Sequence, residues 1–252
     1  MLESVAEARG HAMELALTSD SYRGLAGAGD LVSSRVMVKQ TDLLVSGVCD
    51  LGVQARRLVR KYRGEIEDYI EKVPSFKDSL VPIKGDPAAS GIVKTMIEAG
   101  ARAGVGPMAS VAGAIAEYVG MGLLEHSRDV IIENGGDIFI RSAAERHILL
   151  LAETSELSAI RIVVPPTLEP VGLCTSSGTL GHSLSFGKAD AVTVLWSSAS
   201  LSDAAATAIA NVVEDHGDIR KGIRRAQEIG VDGVVILVGG HMGAWGKIAF
   251  AD

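Results

Sequence analysis

The segment Glu133-Asn134-Gly135-Gly136-Asp137 sets two glycines between the apolar stretches Val130–Ile132 and Ile138–Arg141. Each glycine opens the left-handed backbone region, which costs other L-residues about 1 kcal/mol or more. Asn-Gly is also the strongest short signal for a β-hairpin. The chain must reverse here between two strands, and the reversal ends on a carboxylate. Bare backbone at such a turn also lets a ligand lie close. A plain hairpin and a ligand-facing turn are both compatible with these residues.

Period and punctuation order the rest. Ser34–Lys39 and Asp42–Val48 alternate as a strand pair. Asp50–Val73 is a helix: Leu51, Ala55, Leu58, Val59, Tyr62, Ile66, Tyr69, Ile70 and Val73 fall on one stripe. Pro74 ends it. Its outer face carries Arg56, Arg57, Arg60, Lys61 and Arg63, read as a solvated face. Ile92–Arg102 and Met108–Leu124 read as helices, and His147–Ala152, Ile160–Val164 and Ala191–Trp196 as strands. Pro165, Pro166 and Pro170 mark a boundary. Asp203–Asp215 is expected as a helix capped by Ser202, and Ile219–Ile229 as one between Asp218 and Gly230. Val234–Val238 and Lys247–Phe250 close the chain as strands around Gly239-Gly240. Strands alternate with helix pairs, without steady βαβ alternation, which favours an α+β fold over a doubly wound sheet. Residues 1–33 are a weakly patterned lead-in, and 34–252 read as a single domain.

Composition narrows the function classes. Apolar residues make up 47% of the 252, enough for a real core. A net charge of −7 argues against nonspecific binding to nucleic acid or anionic membrane. Gly104–Leu124 is apolar but rich in small residues and contains Glu117, so it reads as a closely packed helix rather than a membrane span. The N-terminus has no basic stretch followed by an apolar one, so no signal peptide is expected. Cys49 and Cys174 follow no ligand or disulfide spacing, which points to a reducing, cytoplasmic setting.

Several phosphate motifs fail. Gly181–Lys188 has five residues between its glycines where a P-loop has four, and Ala189 follows the lysine. Gly104-Val105-Gly106-Pro107-Met108-Ala109 follows a helix, not the strand a dinucleotide fingerprint needs. Asp203 and Thr207 are four apart and share a helix face, where small neighbours Ala204, Ala205, Ala206 and Ala208 permit close approach. They suit a hard cation, or else Asp203 complements its own helix dipole and Thr207 packs. Cys174-Thr175-Ser176-Ser177-Gly178 is dense in hydroxyls, as a phosphate-facing segment or an ordinary polar turn would be. His182, with no local acid partner, reads as a structural hydrogen-bonder.

The order of these pieces is informative. Gly113-Ala114-Ile115-Ala116, Asn134-Gly135-Gly136-Asp137-Ile138, Thr175-Ser176-Ser177-Gly178, His182, then Asp203-Ala204 with Thr207-Ala208 resembles the ApbE family of FAD:protein FMN transferases. Val105-Gly106-Pro107-Met108, Val111–Glu117 and Gly181–Ala191 are similar to a bacterial and archaeal branch of that superfamily. The resemblance implies an α+β fold of mixed or antiparallel sheets with flanking helices in two intimately packed lobes. It implies magnesium held by Asp203, Thr207 and the carbonyl of Ala114, and FAD lined by Asn134, Gly135, Gly136, Asp137, Thr175, Ser176, Ser177, Gly178 and His182. Asp203 and His182 would serve catalysis on the FAD pyrophosphate, passing FMN to a protein Thr or Ser. A homo-oligomer is left open.

Two departures stand against the family pattern. Glu117-Tyr118 replaces Lys-Gly, setting an anion near the expected phosphate site, and the His-Ile-Ile-Asp-Pro-x-Thr-Gly stretch is absent. The alternative is a protein that keeps the fold and binds a flavin or nucleotide without turnover.

Overall fold

The computed structural model describes residues 29–151, 159–177 and 187–251. Strands β1 (Val32–Val38) and β2 (Thr41–Gly47) form the first hairpin. Helix α1 (Gly52–Lys72) buries Ala55, Val59 and Ile66 from the expected stripe. Pro74 ends it and opens a short helix α2 (Ser75–Asp78), which sinks Phe76 into the core. Helix α3 (Gly91–Ala103) stops at Gly104, whose φ of 76° few other residues adopt. A single 3-10 turn, Pro107–Ser110, leads into α4 (Val111–Leu123), so the expected helix from Met108 is tightened in its first turn.

The main sheet has eight strands in the order β1-β2-β3-β4-β7-β8-β9-β10. They include β3 (Val130–Asn134), β4 (Asp137–Ser142), β7 (Thr167–Ser176), β8 (Ala191–Trp196), β9 (Gly233–Val238) and β10 (His241–Gly246). Every neighbouring pair is antiparallel. A second sheet sets β6 (Ala159–Val164) between β5 (Arg146–Leu151) and β11 (Ala249–Phe250). Helices α5 (Ala199–Ala210) and α6 (Ile219–Ile229) complete the set.

Alternation along the strands sorts side chains to two faces. One face packs on helices in two cores: α1–α4 with Leu43, Val45, Ile132 and Phe139, and α5–α6 with Val192, Val194, Val234 and Ile236. The other face sends Ile131, Ile138, Ile140, Leu173 and Leu237 against Ile148, Leu150 and Ile162 of the small sheet. The result is an α+β protein of three layers, helices over a large sheet over a small one.

Three expectations need correction. The proline-marked boundary is mostly the long strand β7. Pro170 is tolerated because the β4–β7 register shifts between Ile140 and Ser142, where a missing N–H costs no ladder bond. The glycine-rich β10 pairs with β9 through Gly239 and Gly240, at φ 56° and 75°, while the expected strand from Lys247 shrinks to β11 in the other sheet. Asp218 sits at the start of α6, but its carboxylate accepts from the Glu214 N–H rather than capping the helix.

The tract 104–124 is α4 and its lead-in, and two glycines fit it into place. A Cβ on Gly120 would lie 2.3 Å from the Phe139 ring, and one on Gly113 would lie 2.3 Å from the Ala199 carbonyl oxygen. Among the described residues no helix is long and apolar enough to cross a membrane. Gly172 does the same for α5 on β7, since a Cβ there would meet Ala199 Cα at 2.4 Å. The obstacles at Gly113 and Gly172 are backbone, which cannot rotate away. Gly172→Ala is expected to destabilise the fold by about 1–3 kcal/mol through overpacking, read as a lower urea midpoint at unchanged slope.

Candidate functional site

Helix α5 begins four residues earlier than its sequence suggests. Ser198, not Ser202, is its N-cap, and its Oγ accepts from the Leu201 N–H at 3.3 Å. The one hydroxyl proton of Ser202 has instead two carbonyl acceptors, Ser198 at 2.9 Å and Gly172 at 3.1 Å. Asp203 is therefore a full turn inside the helix and does not complement the dipole of α5.

Asp203 serves the neighbouring helix. Its Oδ2 accepts the Gly113 N–H at 2.9 Å, and the carboxylate also accepts from the Ala112 amide. Both amides belong to the first turn of α4, where no intrahelical acceptor exists. Gly113 permits the approach, since a Cβ there would lie 2.8 Å from the Asp203 Cβ.

Glu117 returns the arrangement in the opposite sense. Its Oε2 accepts from Ser198 Oγ at 2.6 Å, from the Ser200 N–H at 2.9 Å and from Ser200 Oγ at 2.9 Å. It caps the N-terminus of α5 from α4. Glu117 Oε2 is thereby committed to the start of α5.

Against this pair of helices lies the glycine turn. Gly135 and Gly136 take φ of 65° and 106°, and among the described residues nothing lies within 4 Å of where a Gly135 Cβ would be. Asn134 Nδ2 donates to the Ala112 carbonyl at 3.0 Å, tying the turn to the start of α4. Asp137 opens β4 opposite Cys174, on the face that α5 covers. Cys174 has one thiol proton and two acceptors, the Ala199 carbonyl at 3.2 Å and the Asp137 carboxyl.

Asp137 and Asp203 are both buried and close enough to repel. Burial, then the charge of Asp203, pushes the Asp137 carboxyl well above the usual range. Burial pushes Asp203 up to about 7, opposed by its bonds to the Gly113 and Ala112 amides. Burial and the same two carboxylates also raise the Cys174 thiol. Around them, Asp137 Oδ1, Ser176 Oγ and Thr207 Oγ1 are buried without a hydrogen-bond partner among the described residues.

The other sequence candidates divide. Thr207 stands one turn from Asp203 on α5. Ser176 shares the Cys174 face of β7, whereas Thr175 turns to the opposite face and bonds Thr193 Oγ1 at 2.8 Å. Ser177 follows the strand directly. Ala114 lies inside α4 with its side chain in the core, where the helical ladder directs its carbonyl toward the amide four residues on. Gly178 and His182 lie outside the described residues. Sequence reasoning passed over Cys174, which no ligand spacing singles out, and the capping role of Glu117, whose partners are 81 and 83 residues away.

Among the described residues no three His, Cys, Asp or Glu side chains converge as a metal centre. The oxygen set is instead two carboxylates and two unpartnered hydroxyls. Such a set fits a hard divalent cation that completes its shell with phosphate oxygens and water, as magnesium does.

The antiparallel α+β layer fold is the one seen in solved ApbE structures. The Vibrio cholerae flavin transferase ApbE matches with a TM-score of 0.58 at 12% identity, over 85% of this chain and 96% of that one. The apo Pseudomonas stutzeri flavinyl transferase ApbE matches with a TM-score of 0.55 at 13% identity, over 85% and 93%. At these identities the likeness establishes the fold. The chain belongs to the family described as AbpE bacteria, whose model matches residues 24–235. Relatives include a UPF0280 protein of Methanocaldococcus jannaschii, 41% identical over 223 residues that cover 85% of this chain and 90% of that protein. A UPF0280 protein of Methanococcus aeolicus is 38% identical over 226 residues, covering 86% and 91%.

Two predictions follow from the helix pair and the carboxylates. Glu117→Ala leaves Ser198 and the Ser200 amide without their acceptor and should cost about 2 kcal/mol, measured by chemical denaturation, with Glu117→Gln costing less. Between pH 4 and 7 the folded protein keeps a proton on Asp203 that the unfolded chain has released. Stability must then fall as pH rises through that window. The melting temperature of metal-free protein is expected to drop from pH 5 to pH 8, and Asp203→Asn to flatten the drop.

Proposed function

We propose that this protein is a magnesium-dependent flavin-binding enzyme that acts on the FAD pyrophosphate and transfers FMN to a protein Thr or Ser. The observation that carries the reading is the buried pair Asp137 and Asp203, with Asp137 Oδ1 and the Ser176 and Thr207 hydroxyls unpartnered and no cationic side chain bonded to either carboxylate among the described residues. Two desolvated carboxylates at such proximity are stabilised by a divalent cation far better than by protons alone.

In this reading Asp203 and Thr207 would hold the cation from α5 and Asp137 from the sheet. When bound, the ion would neutralise pyrophosphate charge and polarise the bridging bond. The chain's own contribution is positional. Asp203 is fixed by two α4 amides, so its carboxylate is aimed without rotamer loss. The open glycine turn gives a flat ring backbone to lie against. His182 stands as a candidate for proton transfer, and the Ala114 carbonyl as a further ligand only where the first turns of α4 release it. The free thiols of Cys49 and Cys174 suit a reducing, cytoplasmic setting.

A second reading is a flavin or nucleotide binder without turnover. It is favoured by Glu117, which stands where the family lysine would supply a phosphate cation and is committed to the α5 N-terminus. Incubation with FAD and Mg²⁺ separates the two. The enzyme reading expects AMP release that chelator abolishes and that Asp203→Asn lowers by about 10²-fold or more. FAD binding with no AMP, even with acceptor peptides present, leaves the binding reading. FAD affinity indifferent to both Mg²⁺ and Asp203→Asn overturns the metal-bridged site altogether.

A further inference from the structure

The outward line of α1 runs Val53, Arg57, Arg60, Gly64, Asp68, Glu71, at spacings of four, three, four, four and three. That spacing keeps all six on one helix face. The line is segregated by charge, with bases before Gly64 and acids after it. Arg57, Arg60, Asp68 and Glu71 make no ion pair or hydrogen bond among the described residues. Within the chain the order is unfavourable. Arg57 stands against Arg60 and Lys61, and Glu71 against Asp68 and Glu67, like-charge neighbours that each cost a few tenths of a kcal/mol.

Gly64 sharpens the point. It occupies the middle of a 21-residue helix, where glycine costs about 1 kcal/mol relative to alanine. Among the described residues nothing lies within 4 Å of where its Cβ would be, so no contact among them asks for glycine at this position. The flank adds apolar surface: Met121 is 51% exposed next to Gly122, which abuts Leu58. Val53, at 81% exposure, lies at the basic end.

We infer that this face docks a second copy of the same chain, with the two α1 helices antiparallel about a two-fold axis through Gly64. Turned end for end, the pattern is its own complement. Arg57 meets Glu71 of the other copy, Arg60 meets Asp68, and Gly64 meets Gly64 at the crossing, where absent side chains let the backbones approach. A two-fold interface uses the same patch twice, as this one does. The helix is about 31 Å long, and with Val53 at its basic end and Met121 on its flank the contact includes apolar as well as charged area.

Charge reversal tests this on exposed residues that the fold does not need. Wild-type protein is expected to sediment as a dimer at equilibrium. The double variant Arg57→Glu with Arg60→Glu should be monomeric, its dimer weakened roughly tenfold or more. The double variant Asp68→Arg with Glu71→Arg should behave likewise. An equimolar mixture of the two should dimerise again, because each all-acidic face then meets an all-basic one. Unchanged circular dichroism checks that each variant is folded. A monomeric wild type, a dimer that both variants leave intact, or a mixture that stays monomeric each overturns the proposal.

Discussion

The organisation of this protein depends on an exchange of carboxylates between two helices. Asp203 of α5 accepts the first-turn amides of α4, and Glu117 of α4 accepts the first-turn groups of α5. Helix N-termini carry unsatisfied N–H groups and a partial positive charge, so each carboxylate is attracted to the end it caps. Gly113 and Gly172 remove the side chains that would hold the helices away from each other and from β7. The two helical cores sit on one continuous sheet, and this contact joins them.

The candidate site is built on the same contact. Asp203 is committed to two amides of α4, and this orients the residue toward the sheet where Asp137, Cys174 and Ser176 line up. The chemistry there is unusual for a protein interior, since two carboxylates share a space with unpartnered hydroxyls. A cation and a phosphate would convert that liability into binding energy. Function and architecture therefore use the same residues, and Asp203 cannot be exchanged for one purpose without disturbing the other.

Much of this was legible in the sequence. The α1 stripe, the Asn134–Asp137 hairpin and the pairing of Asp203 with Thr207 all follow local periods, and local periods survive folding. What was illegible is long-range. Glu117 reads as a charge reversal near a phosphate until its partners, 81 residues on, are seen to be a helix start. Ser202 precedes an acid and looks like a cap, yet Ser198 takes that position because Glu117 already organises it. Strand β7 hides behind Pro170, which only a bulge could accommodate. Thr175 and Ser176 are adjacent in sequence and face opposite sides of a sheet, a division no composition argument reveals.

The pairing of β2 with β3 joins residues 43–47 to 130–134, and everything from α1 through α4 lies inside the loop it closes. Closing so long a loop costs entropy that grows only slowly with length, but the search for it delays assembly. The β3–β4 hairpin can form early from neighbours in sequence, whereas the bond from Asn134 to Ala112 waits on α4 docking. During synthesis the amino-terminal hairpin and its helices emerge well before the strand that must complete their sheet. Its exposed β2 edge is then a template for wrong partners, and the helices that later form the first core are what shields it in the interval.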